Sequence, residues 1–338
     1  MAEYKGIHGT KIQNYTSDPA NPILGQVWYN ETSQTMKVQA VTTAGSWATG
    51  TSINTGRMTA PGTGSYTDMM IAGGISGPPL YNVFANTELW NGSTWTETND
   101  ISTARYGTGV AGITTAALIY GGYFPPDGVP TNAVESWNGT SWTAGTAMNT
   151  ARGNMASAGQ VYTDCMGFGG GPGPVNTNNE IWNGSTWTEV NNLSASHETH
   201  AGGTGADTTA ALCFGGGPPY TTNNETWNGT SWTATTAMNT GSGLLQTLGN
   251  SNTDCLGAGG GNDTPTPFTA KTEQWNGTAW TEIADLPTAT RQQSYGNNGT
   301  TGSGLSIGGQ QSGVSGPIDT VYDWLGAGSP TTRTITSS

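Results

Sequence analysis

The sequence predicts an all-β protein built from repeated four-stranded antiparallel sheets. Only 9% of the 338 residues are charged and 53 are glycine. The polar surface must therefore consist largely of Thr, Ser, Asn and Gly, a composition poor in helix formers. The second observation is a phrase with two tryptophans around Asn-Gly. It begins at Glu88, Glu135, Glu180, Glu225 and Glu273.

Each copy of this phrase predicts a β-hairpin. In "ELWNGSTWTE", Asn91 and Gly92 separate two strand-like runs, and Asn-Gly is a strong hairpin signal because a type I′ turn needs φ > 0 at both central residues. A two-residue loop would place Trp90 opposite Ser93, whereas a four-residue loop would place it opposite Trp95. Because side chains alternate faces along a strand, both registers put the two tryptophans on one face. Two strands cannot cover that face alone, but a neighbouring copy can.

The period of the tryptophans predicts a β-propeller. Equivalent tryptophans recur every 45–48 residues, the range of propeller repeats, in which four-stranded blades pack face to face around a channel. The first tryptophan of each pair is Trp90, Trp137, Trp182, Trp227 or Trp275. The second set has one extra member and comprises Trp47, Trp95, Trp142, Trp187, Trp232 and Trp280.

Six short apolar runs that end in glycines supply the inner strands: "MMIAGG", "ALIYGG", "CMGFGGG", "ALCFGGG", "CLGAGGG" and "LSIGG". The glycines suit closely approaching backbone or a bulge. The last unit contains Trp324 and stops where its outer strand should follow. We expect residues 45–50 to complete this unit, which would close a ring of six blades and remove two exposed edges.

The domain organisation follows from this count. The propeller is predicted over residues 45–326, with a C-terminal tail at 327–338. Residues 1–44 are predicted to form an attachment segment with a short hairpin between Asn30 and Thr35.

The repeat resembles the kelch repeat. A double glycine closes the second strand, an aromatic residue lies in the third, a tryptophan lies in the fourth, and Thr-Ala-Arg often precedes the next first strand. "WTEIADLPTATR", Trp280 to Arg291, is the closest single match. The resemblance covers about residues 50–326, and departs in having Trp instead of Tyr in the third strand and a short, uniform hairpin. It implies an interaction module, although some kelch propellers are enzymes.

Two features resemble bacteriophage proteins. The Trp-Asn-Gly-Ser-Thr-Trp phrase is similar to repeat proteins encoded by marine bacteriophages. The leader "GQVWYNETSQTMKV", Gly25 to Val38, resembles a hairpin segment of phage fibre and other virion proteins. The resemblance implies a virion structural protein, assembled in the host cytoplasm and exposed on the particle. It also implies an oligomeric assembly in which residues 1–44 bind other virion subunits and the propeller contacts the host surface.

The charge and hydropathy of the chain exclude several partners. The net charge is −13, with 9 basic and 22 acidic residues, which disfavours nucleic acid and anionic membrane surfaces. The sequence has no apolar run of transmembrane length and no signal-peptide core after Met1. We therefore expect neither membrane insertion nor secretion.

The loops between second and third strands differ most among the repeats, and the propeller places them on one face. Their aromatic residues are the best candidates for ligand contact, because aromatic, Asn and Gly residues make adaptable binding loops. The alternative is local packing or contact with another subunit. The candidates are Tyr81, Phe84, Tyr123, Phe124, Tyr220 and Phe268.

A second candidate set consists of arginines that precede the first strands. Arg57, Arg105, Arg152 and Arg291 are predicted at corresponding points, with His197 and Ser242 in the remaining two blades. Such a cluster could bind a carboxylate sugar bidentately, as in sialidases. The alternative is a structural role in which the arginines bond loop carbonyls. The sialidase turn motif needs an Asp box, and Asn stands there with altered spacing.

The remaining polar candidates have simpler interpretations. His197 and His200 in "HETH" have a spacing that suits a metal on a helix, but the segment is predicted as a turn entering a strand. The Asn-Gly-Ser/Thr phrases are either glycosylation sites or hairpin turns. Asp68, Asp164 and Asp254 are predicted to form turns, with calcium binding as the alternative. Cys165, Cys213 and Cys255 are predicted as buried thiols. No metal site, cofactor or catalytic residue is assigned.

We therefore expect a non-enzymatic virion protein that displays a propeller for recognition of a host surface or carbohydrate. One alternative is a capsid or tail decoration protein without a receptor role. Another is a glycan-active, sialidase-like hydrolase, which would need two carboxylates or a carboxylate and a tyrosine in one pocket. The fold does not decide among these, since propellers host all three.

Overall fold

The protein is described by a computed structural model, in which the described residues form strands, turns and loops without a helix. The described residues are 12–19, 25–41, 44–77, 80–125, 128–172, 177–197, 202–217, 219–261, 268–294, 299–327 and 330–335. The predicted all-β class is confirmed. Over these residues, no helix has the length and apolar character needed to cross a membrane. The chain divides into two compact units, Met1–Gly45 with Leu325–Ser338, and Ser46–Trp324.

The strands are numbered in chain order. The first four are β1 (Gln13–Tyr15), β2 (Val27–Asn30), β3 (Thr35–Val41) and β4 (Ser46–Thr49). Repeat 1 contains β5 (Gly62–Ser65), β6 (Asp68–Ala72), β7 (Thr87–Trp90) and β8 (Trp95–Thr98). Repeat 2 contains β9 (Gly109–Ile113), β10 (Ala116–Tyr120), β11 (Tyr123–Phe124), β12 (Val129–Pro130), β13 (Val134–Trp137) and β14 (Trp142–Ala144). Repeat 3 contains β15 (Ala156–Val161), β16 (Asp164–Phe168), β17 (Asn179–Trp182) and β18 (Trp187–Val190).

The second half of the chain follows the same order. Repeat 4 contains β19 (Gly202–Asp207), β20 (Ala210–Phe214), β21 (Asn224–Trp227) and β22 (Trp232–Ala234). Repeat 5 contains β23 (Gln246–Ser251), β24 (Asp254–Ala258), β25 (Thr272–Trp275) and β26 (Trp280–Glu282). Repeat 6 contains β27 (Thr290–Arg291), β28 (Ser303–Ile307), β29 (Gln310–Gln311) and β30 (Val321–Leu325), and β31 (Pro330–Ile335) ends the chain.

The smaller unit contains a four-stranded sheet in the order β1-β2-β3-β31. β2 and β3 form an antiparallel hairpin with Asn30 opposite Thr35, and β1 pairs parallel with β2. β31 pairs antiparallel with β3, so the tail predicted as a separate segment contributes a strand to this sheet. Asp18 organises the hairpin, because its Oδ1 accepts hydrogen bonds from Trp28 Nε1 at 3.0 Å and Asn30 Nδ2 at 2.7 Å. Trp28 is fully buried.

The larger unit contains five four-stranded antiparallel sheets, one in each of repeats 1 to 5. Within each sheet the main strands pair in chain order, as expected for consecutive hairpins. The sheet of repeat 6 has the order β28-β30-β4, so its third strand comes from the start of the unit. The backbone N–H of Gly50 donates to the carbonyl of Val321 at 2.8 Å, which extends this pairing.

The tryptophan hairpins adopt the four-residue register. Trp90 lies opposite Trp95, and the other four pairs match, with ring centroids 5.3–5.5 Å apart. Of the two registers considered, the two-residue type I′ turn is not adopted, because Gly92 has φ +89° but Asn91 does not have positive φ. Instead Asn91 Oδ1 accepts from the N–H groups of Ser93 and Thr94, at 3.0 and 2.9 Å. This Asx-type arrangement closes the turn with the side chain.

The tryptophan faces are covered by the preceding repeat. Tyr120 of repeat 2 packs on Trp187 of repeat 3, with centroids 4.9 Å apart. Phe168 packs in the same way on Trp232, at 4.9 Å. Each buried cluster between neighbouring sheets therefore combines the second strand of one repeat with the tryptophans of the next. Burying large aromatic faces in this way is the main stabilising contribution available to such short strands.

The double glycine after each second strand brings two repeats close together. Gly121 and Gly122 have φ +65° and +101°, values that favour glycine. A Cβ on Gly121 would lie 2.5 Å from the carbonyl oxygen of Arg152, and one on Gly122 would lie 2.7 Å from that of Tyr106. The absence of a Cβ lets the Gly122 N–H donate to the carbonyl of Arg152, at 2.9 Å. This bond positions Arg152 before the first strand of the next repeat.

Candidate functional site

Each repeat sheet has two ends along the strand direction. The turns between first and second strands and the Trp-Asn-Gly turns lie at one end, because both follow strands that run in the same direction. The loops between second and third strands lie at the opposite end. We refer to these two ends as the turn edge and the loop edge.

The loop edge carries the predicted aromatic candidates, and most of them pack locally. Tyr123 stacks on Tyr106 with centroids 5.4 Å apart. The guanidinium of Arg291 lies 4.4 Å from the ring centre of Phe268, and that of Arg57 lies 5.7 Å from that of Phe84. Phe124 and Tyr220, like the other packed rings, are half-buried, whereas Tyr81 is 57% exposed.

Exposed aliphatic side chains accompany Tyr81 at the loop edge. Leu80 is 73% exposed, Val129 56% and Val314 44%. They lie on the loops of repeats 1, 2 and 6. The loops of repeats 1 and 6 touch, because a Cβ on Gly77 would lie 3.0 Å from Cα of Gly316. These three aliphatic residues were not predicted, because only the aromatic residues of the loops were candidates. Their position in Pro- and Gly-rich loops could have predicted their exposure, because such loops cannot bury an aliphatic side chain.

The predicted arginine cluster does not face solvent. Arg57, Arg105 and Arg152 are at most 2% exposed. Each forms a buried ion pair with the third-strand glutamate of its own repeat: Glu88, Glu135 and Glu180 respectively.

The two terminal nitrogens of the Arg152 guanidinium have four acceptors, whereas its Nε is buried without a partner among the described residues. The guanidinium donates to the carbonyls of Gly167, Gly169 and Asn178 and to Glu180. Burial lowers the pKa of Arg152, and the adjacent Glu180 carboxylate opposes that change. An anionic ligand at these arginines would have to replace the glutamates.

The backbone defines which residues are equivalent in the six repeats. In each case the second glycine of the preceding repeat donates its N–H to the carbonyl of the equivalent residue, at 2.7–3.1 Å. This position, which we call the arginine position, is held by Arg57, Arg105, Arg152, His197, Ser242 and Thr290. The prediction that Arg291 belongs to the set is therefore wrong by one residue. Arg291 instead bonds Gln310, through Nη2 at 3.1 Å.

His197 replaces arginine in repeat 4 and makes equivalent bonds. Its Nδ1 lies 2.7 Å from the carbonyl oxygen of Gly215, and its Nε2 lies 3.2 Å from Oε1 of Glu225. Burial lowers the pKa of His197, but contact with Cys213 and the hydrogen bonds to Glu225 and Gly215 outweigh it and raise the pKa to about 10. His200 lies outside the described residues. No group of three or more potential metal ligands occurs in the described part of the chain.

The turn edge contains a cavity of about 350 Å³. It is lined by residues of repeats 1, 2, 3, 5 and 6, among them Tyr66, Asp68, Ile113, Gln160 and Asn250. Gln160 donates through Nε2 to the carbonyl of Asn250 at 3.1 Å and so crosses between repeats 3 and 5. Asp68 is the only carboxylate among the described lining residues. The lining offers backbone, hydroxyl and amide groups suited to hydrogen-bonding a polar ligand.

The turn aspartates connect neighbouring repeats. Asp68 accepts a hydrogen bond from the hydroxyl of Thr114 at 2.7 Å, and Asp164 accepts one from Thr208 at 2.7 Å. Asp254 accepts one from Thr301. These bonds lie at the turns between first and second strands, and they join repeat 1 to 2, repeat 3 to 4 and repeat 5 to 6.

The cysteines and the Asn-Gly-Ser/Thr phrases serve the fold. Cys165, Cys213 and Cys255 are free and buried, and burial raises the pKa of each thiol. The asparagines of all five phrases accept backbone hydrogen bonds within their own turns. The turn interpretation of these phrases thus has a direct structural basis.

Comparison with known proteins found no matching family model and no matching curated protein.

Proposed function

We propose that the larger unit is a closed six-bladed, kelch-like β-propeller. The packing between repeats 6 and 1 supports closure: Leu305, Ile307 and Val321 share a buried cluster with Met69 and Ile71. The backbone N–H of Gly309 also donates to the carbonyl of Arg57 at 2.9 Å, the same bond that joins the other neighbouring repeats. β4 supplies the third strand of the repeat 6 sheet, as ring closure requires.

We propose that this propeller is a non-enzymatic recognition module whose ligand is a host-surface carbohydrate or receptor. The observation that carries the proposal is the exposed group Leu80, Tyr81, Val129 and Val314 at the loop edge. Exposed apolar residues on the loops of a rigid frame are typical of binding surfaces. A tyrosine ring beside polar loop groups suits the apolar face and hydroxyls of a sugar.

The virion role is the broader part of the proposal. Its support is the resemblance of the repeated phrase and of the Gly25 to Val38 segment to bacteriophage virion proteins. The smaller unit, which contains this segment, is the proposed attachment to other virion subunits on a tail or fibre. A decoration protein without a receptor is the competing interpretation. A sialidase-like enzyme is less favoured, because Arg57, Arg105 and Arg152 already hold glutamates as their anions.

The test is binding of fluorescently labelled protein to a glycan array and to a panel of candidate bacterial cells. The test variant combines Leu80→Ser with Tyr81→Ser. The matched control is Tyr162→Ser, because Tyr162 is also an exposed tyrosine, at 37%, but lies at the turn edge. All three proteins should have the same circular dichroism spectrum and thermal midpoint.

We expect the wild type and the control to bind and the loop-edge variant to lose on the order of 10-fold in affinity, as for a binding hot spot. Equal loss in the control would place the ligand elsewhere. Absence of binding by folded, assembled wild type would favour a decoration role. Release of free sugar from array glycans would favour the hydrolase.

A further inference from the structure

The six repeats differ in sequence at one equivalent buried site. The arginine position and the third-strand glutamate form an ion pair in repeats 1 to 4, with His197 serving in repeat 4. In repeat 6 both partners are neutral: Thr290 replaces the cation and Tyr322 replaces the glutamate. Charge is therefore balanced within the site in five of the six repeats.

Repeat 5 breaks this balance. Ser242 occupies the arginine position, yet Glu273 is retained and is only 2% exposed. Glu273 keeps the bonds that its equivalents have: Oε2 accepts from the N–H and Nδ2 of Asn239 at 2.8 and 3.0 Å, and Oε1 accepts from the N–H of Thr240 at 2.8 Å. Within the described chain, no basic side chain forms an ion pair with it.

The nearest lysine is engaged elsewhere. Lys271 precedes Glu273 by two residues, but its Nζ contacts Glu282 and lies 3.7 Å from Oδ2 of Asp285 at the surface. Three hydrogen bonds stabilise the Glu273 carboxylate, but no cation balances its charge, as a cation does in repeats 1 to 4. Such a buried charge is costly unless it is also paired.

The space left by the arginine side chain is a cavity next to Glu273. Ser242, Thr240, Gly257, Gly259, Lys271 and Glu273 line it, together with Met238 and Leu245. The volume within which the centre of a water-sized sphere fits is about 10 Å³. One water, or one ion of similar size, needs about this volume.

Three residues around this cavity are equivalent to those whose carbonyls accept from the Arg152 guanidinium in repeat 3. There Arg152 donates to the carbonyls of Gly167, Gly169 and Asn178. The equivalent residues in repeat 5 are Gly257, Gly259 and Lys271, and all three line the cavity. Ser242 Oγ donates toward the carbonyls of Gly259 and Gly261, at 3.2 and 3.1 Å, and its lone pairs add a further oxygen ligand.

We propose that repeat 5 binds a desolvated monovalent cation, such as K⁺, Na⁺ or ammonium, in this cavity. Glu273 Oε1 supplies the negative charge, and the carbonyls of Gly257, Gly259 and Lys271 with Ser242 Oγ supply neutral oxygen ligands. Hard cations prefer such ligands. One carboxylate with neutral carbonyls balances a single positive charge, and the small cavity excludes larger organic cations.

The test measures the thermal midpoint of the full chain in potassium, sodium, ammonium or choline chloride at equal concentration and equal pH. Choline is the control, because it maintains ionic strength but is too large for the cavity. Two variants remove the need for the ion. Glu273→Gln removes the charge with little change in shape, and Ser242→Arg restores the guanidinium of repeats 1 to 3. If arginine does not fit beside Met238 and Leu245, Glu273→Gln carries the test alone.

We expect at least one small cation to raise the wild-type midpoint by about 2–4 °C over choline, with saturation as its concentration increases. The difference should vanish in Glu273→Gln and in Ser242→Arg. A wild-type midpoint that is equal in all four salts would overturn the proposal. So would a cation effect of the same size in Glu273→Gln, since it would then arise elsewhere on this acidic protein.

Discussion

At the scale of single residues, buried Arg–Glu pairs give the third-strand glutamate a structural role in repeats 1 to 3. The carboxylate of Glu88 receives the N–H groups of Asn54 and Thr55 and the guanidinium of Arg57. It therefore joins the approach to the first strand to the third strand of the same sheet. Such a pair contributes little net stability over apolar packing, but removing one partner leaves a buried charge unpaired.

This argument predicts a strong, non-additive effect in repeat 2. Arg105→Met should destabilise the protein by about 3–5 kcal/mol, because Glu135 would remain buried without its cation. The double variant Arg105→Met/Glu135→Gln should be less destabilised than the sum of the two single variants. Urea unfolding of the four proteins measures the coupling. Additive losses would contradict the ion-pair interpretation.

His197 makes the stability of repeat 4 depend on pH. Its folded-state pKa is raised to about 10 from the usual 6.5. The stability that the protonated ring contributes is complete below the unfolded pKa and is lost as pH rises through the folded pKa. Stability should therefore fall between about pH 6.5 and about pH 10, by up to about 1.4 kcal/mol per pH unit.

The measurement is the free energy of unfolding of wild type and His197→Arg across this range. Arginine stays protonated and can reach Glu225, so the variant should show a flatter profile. Subtracting the two profiles removes the titration of shared groups that do not contact residue 197; Cys213 does contact it and is not removed. Parallel profiles would show that His197 is neutral in the folded protein.

At the scale of elements, the Trp-Asn-Gly hairpins combine a side-chain-capped turn with an aromatic pair. In repeat 2, Asn138 Oδ1 accepts from the N–H groups of Thr140 and Ser141, at 2.9 and 2.8 Å. Gly139 has φ +91°. The turn therefore fixes the register in which Trp137 and Trp142 meet.

Asn138→Ala should cost about 1–2 kcal/mol, because two backbone N–H groups lose their acceptor. Thr140→Ala is the matched control in the same turn, since only the backbone of Thr140 forms hydrogen bonds there. Thermal unfolding of both variants measures the difference. Equal effects would show that the turn depends on general β-propensity instead of the asparagine cap.

At the scale of the whole molecule, β4 connects the beginning of the larger unit to its last repeat. Trp47 packs on Trp324 with centroids 5.1 Å apart, and its Nε1 donates to the hydroxyl of Thr272 at 3.2 Å. It thus contacts repeats 5 and 6, from which it is far removed in sequence. Contacts of such long range slow folding, because the chain loses loop-closure entropy before they form.

Trp47→Ala should destabilise the protein by about 2–3 kcal/mol, somewhat less than a fully buried tryptophan would. Thr49→Ala, an exposed change on the same strand, should have almost no effect. Hydrogen exchange should also show faster exchange in β30 in Trp47→Ala, because β30 loses its neighbour. Unchanged protection there would argue against closure through β4.

The sequence by itself determined the all-β class, the repeat boundaries and the shared face of the tryptophan pairs. These are local properties, because alternation along a strand and a recurring hairpin need no knowledge of distant residues. It did not choose between the two hairpin registers, since both satisfy the same alternation.

Only the tertiary structure decided the roles of the charged residues. Whether Arg57 faces a ligand or Glu88 depends on a contact between segments 31 residues apart, which spacing does not reveal. The one-residue shift of Arg291 and the unpaired Glu273 became visible in the same way, when backbone hydrogen bonds aligned the six repeats. The physical reason is that burial and pairing set the cost of a charge, and both arise from packing between distant segments of the chain.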